Sequence, residues 1–222
     1  MSKTKCIHTE LYQLGEIMVD CMNNCEGINC DPQNGVIPRC MVLEQKGRKE
    51  DERGTAIIGI NPGISKEDER YFYKSKGQSY KMVLSYWEMK ISKLKYYNSL
   101  RNLANQLGFR GPILWSELVK CENLVAGRLP PIQTFRTCTR KFLNKELEVI
   151  PSDWPLIAVG KETFKVLAYL YPTHVIIGVP HPTGSYGHFS RLFNKNGELI
   201  NKITFEELWN GEYGKAIWLE SK

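Results

Sequence analysis

The sequence lacks any apolar run near the roughly 20 residues that a membrane-spanning helix needs. Its longest apolar runs, Ala56–Ile60 and Val175–Val179, fall far short of that. The opening residues, Met1-Ser2-Lys3-Thr4-Lys5-Cys6, lack the roughly 7–15-residue apolar stretch of a secretory leader. Secretion is therefore not expected. The chain is read as cytoplasmic, with no membrane association. No repeat and no low-complexity tract is present, which removes solenoids and fibrous arrays. Hydrophobic residues make up 42% and charged residues 24% of the chain, which excludes disorder as its general state. Seven cysteines are present. In a chain expected inside the cell they do not read as a disulfide framework, and point instead to free thiols or a metal site. The 222 residues suit one well-packed domain and are short for two. No shift in composition marks a boundary, so a single domain spanning 1–222 is expected. Thirty Lys and Arg against 24 Asp and Glu leave a net charge of +6. That excess fits a nucleic-acid partner without establishing one.

Glu10–Asn24 carries Leu11, Leu14, Ile17, Met18 and Cys21 at helical spacing. Asn23–Arg39 is rich in Gly, Pro, Asn and Asp, reads as loop, and holds Cys25 and Cys30. Gln45–Gly54 is a charged connection. Thr55–Ile60 is a continuous β-rich run, as in a strand buried on both faces, and Asn61-Pro62-Gly63 ends it. Lys81–Leu107 reads as one or two amphipathic helices stopped at Gly108. Pro112–Val119, Leu156–Gly160 and His174–Val179 are further strand candidates, and Phe135–Val149 and Lys161–Leu170 are helices. Strands alternating with helices predict an α/β three-layer sandwich with a central, mostly parallel four-stranded sheet. In such a sheet ligands gather beyond the carboxyl ends of the strands. Three of those ends carry polar residues: Asn61-Pro62-Gly63, Glu117 to Cys121, and His181-Pro182-Thr183-Gly184.

Gly59-Ile60-Asn61-Pro62-Gly63 resembles the first motif of the uracil-DNA glycosylase superfamily, in the form used by its mismatch-specific branch. Pro180-His181-Pro182-Thr183-Gly184 resembles the second motif. Leu118-Val119-Lys120-Cys121 resembles the Val-Lys-Cys element of the iron–sulfur branch, with Cys138 near the position of that branch's next cysteine. Each motif alone is an ordinary turn or strand end. Together they follow the family order and cover roughly Cys21 to Phe193.

The resemblance implies hydrolysis of an N-glycosidic bond after the nucleotide has been flipped from the DNA stack. It assigns Asn61 to position the attacking water and His181 to hydrogen-bond the departing base. The loop after His181 would face DNA through Ser185, Tyr186 and Arg191, with Tyr186 filling the gap in the stack. Phe72, within Tyr71-Phe72-Tyr73, stands where the family places an aromatic that stacks on the base, although the family's Gly-x-Pro-Phe wording is missing. The resemblance further implies a 4Fe–4S cluster on Cys25, Cys30, Cys121 and Cys138. Cys21-x3-Cys25 is an alternative first pair, and zinc is an alternative occupant of the same thiolates.

At Glu117 the sequence departs from the family, which has an Asn that pairs with uracil. An ionised carboxylate only accepts hydrogen bonds and would repel the uracil O4. It suits the exocyclic amine of cytosine, unless burial protonates the group. The expectation is thus a monomeric DNA glycosylase acting on a non-standard base, such as a cytosine substituted at its 5-position. Such bases occur in viral DNA, so the role would be defence as readily as repair. The alternatives are a conventional uracil-DNA glycosylase and a catalytically silent DNA-binding protein of the same fold.

Overall fold

A computed structural model describes residues 3–184, 187–210 and 215–220. It is α/β, with a six-stranded sheet in the order β2-β4-β3-β6-β7-β8. The strands are β2 Val42–Glu44, β3 Thr55–Gly59, β4 Ile113–Glu117, β6 Leu156–Val159, β7 Ile176–Val179 and β8 Ala216–Trp218. The predicted four are the central β4, β3, β6 and β7, each buried along its whole length. Short strands at both edges make up the other two. β3, β6, β7 and β8 run parallel, with Ala56 opposite Leu156, Leu156 opposite Ile176, and Ile176 opposite Ala216. β4 joins them in the same direction, because Thr55 N–H donates to Pro112 O and Val119 N–H to Ile60 O. The chain on either side of β2 runs the other way, with Arg39 N–H on Lys120 O and Lys49 N–H on Arg110 O. The sheet is therefore mixed only at that edge.

Contacts group the residues into two compact units, each assembled from three stretches of chain. The first comprises residues 1–43, 60–91 and 116–151, and the second residues 44–59, 92–115 and 152–222.

The first unit is largely helical, with α1 Lys3–Val19, α2 Glu67–Lys76, α3 Tyr80–Met89, α5 Ile132–Cys138 and α6 Asn144–Val149. A π-helical turn at Thr139–Leu143 joins α5 to α6. A two-residue ladder pairs β1 (Ile28–Asn29) with β5 (Glu122–Asn123). α1 comes close to α3 because Gly15 offers no Cβ to the Tyr80 ring; a methyl there would overlap it.

The second unit carries most of the sheet with α4 Lys95–Gln106, α7 Lys161–Leu170 and α8 Phe205–Trp209. α7 packs on β6 and β7. Gly178 in β7 leaves room for Phe164 and Trp218, whose rings meet at 5.6 Å. No helix among the described residues is long and apolar enough to cross a membrane.

Candidate functional site

In the first unit, Asn61 follows β3 in a loop held by buried charge. Arg39 is almost fully buried and pairs with Glu69 at 2.9 Å and Glu122 at 3.1 Å. The same guanidinium donates to Gly63 O at 2.6 Å. Glu122 accepts the Ser65 backbone N–H at 2.6 Å and pairs with Arg70 at 3.3 Å. Burial alone would raise the Glu122 pKa, but Ser65 and Arg39 outweigh it and hold the carboxylate below its usual range. Two residues of the Asn61–Ser65 turn are thus fastened through their backbones. The Asn61 amide donates to Pro62 O at 3.1 Å and accepts from Asn123 Nδ2 at 3.3 Å.

Glu117 closes β4 and is buried. Its Oε2 has no hydrogen-bond partner among the described residues. Burial pushes its pKa up to about 8, against the pull of Lys120 and Arg39 and with help from Glu146. At neutral pH it is a carboxylic acid rather than a carboxylate. Of the two forms left open for Glu117, the ionised acceptor and the acid protonated by burial, this favours the second: a neutral carboxyl offers one donor and one acceptor. Lys120 is fully buried beside it. Its ammonium pairs with Glu146 at 2.7 Å and donates to Ser116 Oγ at 2.6 Å and Glu117 O at 2.8 Å.

Phe72 lies on α2, half-buried, with its ring 5.1 Å from Tyr86 and 5.5 Å from Tyr73. Tyr71 is the open member of that trio, and Tyr73 the buried one.

The thiols gather in the same unit. Cys21, Cys25, Cys121 and Cys138 line one small pocket with Lys120, Lys141 and Phe142. Cys30, expected among the ligands, stands next to it: its thiol contacts Cys21 O at 3.8 Å and hydrogen-bonds with Cys121. That bond lowers the Cys30 pKa to about 7 and raises Cys121, and burial pushes Cys138 up to about 11. Two donors already face sulfur. Lys120 N–H points at Cys138 Sγ at 3.3 Å, and the Lys141 ammonium at Cys21 Sγ at 3.2 Å. Among the described residues no three His, Cys, Asp or Glu side chains close round a single point as they stand. The residue types suit a soft metal or iron–sulfur group: cysteine sulfurs beside N–H donors and cations, whose thiols would give up their protons to such a group.

In the second unit, His181 follows β7. Its Nδ1 accepts the Thr183 backbone N–H at 3.3 Å, and its ring lies 5.1 Å from Tyr96. An accepting Nδ1 places the proton of the neutral ring on Nε2, which becomes a donor. Partial burial lowers the His181 pKa, so this neutral form prevails at pH 7. Arg191 is exposed on the short helical turn Ser190–Leu192. Ser185 and Tyr186 lie outside the described residues.

Sequence reasoning missed the Arg39–Glu122 clamp and the Lys120–Glu146 pair. Their partners stand 83 and 26 residues apart in the chain, and charged side chains ordinarily read as surface. The chain matches no protein-family model and no curated sequence.

Proposed function

We propose that the protein is a DNA glycosylase of uracil-DNA glycosylase type, which hydrolyses the N-glycosidic bond of a flipped, non-standard base and leaves an abasic site. The observation that carries this reading is the buried, unpartnered Oε2 of Glu117 at a strand end. Such an atom costs about 1–3 kcal/mol, and a bound base is one group that could supply its partner. The other groups have chemistry that suits the reaction. A fixed amide at Asn61 can hold water, and a neutral imidazole donating from Nε2 can stabilise charge that develops on the leaving base. The test is direct. The protein is incubated with duplex and single-stranded oligonucleotides carrying uracil, thymine mispairs and 5-substituted cytosines, then treated with alkali. Strand cleavage at one of these bases supports the reading. An intact panel in the presence of measurable DNA binding would favour the silent DNA-binding alternative.

Glu117 sets which base is accepted. Below pH 8 its carboxyl can donate to O4 and accept from N3–H, as uracil requires. It can equally accept from the N4 amine of a cytosine-type base. Above pH 8 the bond to O4 is lost, and only acceptor contacts from N3–H or the N4 amine remain. Any uracil release should therefore fall as pH rises through about 8, while action on a cytosine-type base persists. In Glu117→Gln, whose amide keeps both a donor and an acceptor, that fall should vanish. The contact is worth roughly 1–3 kcal/mol of discrimination. Uracil release by the unmodified protein that stays level from pH 6 to 10 would remove Glu117 from base reading.

The cysteine pocket belongs to the same proposal. Cys121 and Cys138, with two of Cys21, Cys25 and Cys30, would hold a 4Fe–4S cluster that ties the N-terminal loop to the core and takes no part in bond cleavage. Protein purified without oxygen should be yellow-brown and contain about four irons per chain. Colourless protein carrying one zinc would replace the cluster with the alternative metal.

A further inference from the structure

The geometry points to Asn123 as the residue that orients Asn61 for reaction, an inference that rests on the glycosylase reading above.

Asn123 is the second residue of β5, and both N–H bonds of its amide are used. One donates to Arg128 O at 2.5 Å and the other to Asn61 Oδ1 at 3.3 Å. The Asn123 Oδ1 is buried and has no partner among the described residues. A side chain free to choose would turn over to satisfy that oxygen. It cannot, because Arg128 offers a carbonyl, which only accepts. The NH2 of Asn123 therefore faces Arg128, and its second proton can meet only an acceptor at residue 61. That dictates which end of the Asn61 amide faces Asn123. Oδ1 is turned toward β5, and Nδ2 is left to bond Pro62 O at 3.1 Å. The relay from Arg128 to Asn123 to Asn61 fixes an amide orientation that Asn61 alone would not keep. One lone pair of the Asn61 oxygen is engaged, and the other remains to accept a proton of the attacking water.

The support beneath Asn123 is unusually firm for a two-residue strand. Asn123 is paired with Ile28, and Leu124 N–H donates to Gly27 O. The preceding residue, Glu122, is bound by Arg39, Arg70, Asn29 and Ser65. Glu122 thus holds the backbone of the Asn61 loop while Asn123 holds its functional amide. Asn123 touches neither base nor sugar in this scheme; it is a positioning residue.

Asn123→Ala should lower the single-turnover rate of base release by about 10-fold, the scale on which a misoriented reacting group loses rate. DNA affinity and melting temperature should stay near wild type. The isosteric Asn123→Asp should do worse, by about 100-fold. Its carboxylate faces Arg128 O and Asn61 Oδ1 with no proton to give, which favours turning the Asn61 amide over. The deciding measurement is a double-mutant cycle. In an Asn61→Ala background, Asn123→Ala should change the rate by less than about 2-fold, because the group it orients is gone. A residue that merely supports the fold would cost the same in both backgrounds, and equal losses would overturn the inference. Side-chain amide exchange, followed by ¹⁵N NMR, is independent of turnover. The Asn61 NH2 protons should exchange faster in Asn123→Ala. Faster exchange in a protein that releases no base would keep the orienting role and discard the glycosylase reading. Active wild-type protein with an unimpaired Asn123→Ala variant would do the reverse.

Discussion

Asn61→Ala is expected to slow base release by roughly 10²–10³-fold, the cost of losing one preorganised contact made in the transition state. His181→Ala is expected to fall in the same range. The two losses have different origins. In the proposed reaction Asn61 would hold the attacking water, and the Nε2–H of His181 would meet negative charge on the departing base. Neither group is a strong acid or base. The proposed reaction depends on placement rather than proton transfer, because such a bond breaks largely toward an oxocarbenium sugar and an anionic base. Single-turnover rates should drop while fluorescence anisotropy reports nearly unchanged DNA affinity. His181→Asn, which keeps a neutral donor on a shorter side chain, should recover part of the loss. An Asn61→Ala variant as fast as wild type would exclude Asn61 from the mechanism. The pH profile supplies a further check. The His181 pKa lies below its usual value, so the neutral donor form should persist down to pH values at which a free histidine is already half charged. His181 should therefore impose no loss of rate above pH 7.

Lys120→Met is expected to cost about 3–5 kcal/mol of stability, because it strands a buried carboxylate. Lys120 and Glu146 are both essentially inaccessible, and the ammonium has no water to fall back on. Its donors go to Glu146, Ser116 Oγ and the Glu117 carbonyl, and Ser116 also donates to Glu146. In a chain of 222 residues such a loss lowers the melting temperature by roughly 6–20 °C. Glu146→Leu added to Lys120→Met should restore much of it, since a well-packed apolar pair avoids burying any charge. A Lys120→Met protein that melts within about 1 °C of wild type would show that the pair is not buried as described. The same substitution also removes a positive neighbour of Glu117, so the Glu117 pKa should rise further in any variant that still folds.

The part of the fold legible in the sequence is the part with a strong hydrophobic pattern. Thr55–Gly59 and Leu156–Val159 are apolar end to end because both faces of the strands are covered. The edge strands Val42–Glu44 and Ala216–Trp218 are three residues long and only partly buried, so no periodicity marks them. α2 escaped notice for a related reason. Of its ten residues only Glu69 and Tyr73 are buried, and one of those is an acid. The π-helical turn after Cys138 has no sequence signal, since an added residue in a helix is specified by packing. Asn61, Glu117 and His181 could be singled out as candidates because each stands at the end of a buried run. The charge state of Glu117 stayed open between two forms, because the neutral one is set by burial that only the folded chain creates. The Arg39 clamp was equally hidden: Glu69 and Glu122 read as ordinary surface acids until the fold encloses them.

The pairing of Ala56 with Leu156 spans one hundred residues, and this has a consequence for synthesis. The first unit is complete once residue 151 has emerged. β3 at that moment has β4 on one side and nothing on the other. Its Thr55-Ala56-Ile57-Ile58-Gly59 backbone then presents an open, apolar edge, the kind of segment that pairs with other chains. A message truncated after Pro151 would encode Asn61, Glu117 and every thiol of the cysteine pocket, yet its product should collect in the insoluble fraction. Strand pairings this distant also form slowly. The growing chain is thus exposed to misassembly over the interval between β4 and β6, and expression at lowered temperature, which slows synthesis and weakens hydrophobic association, should raise the soluble yield.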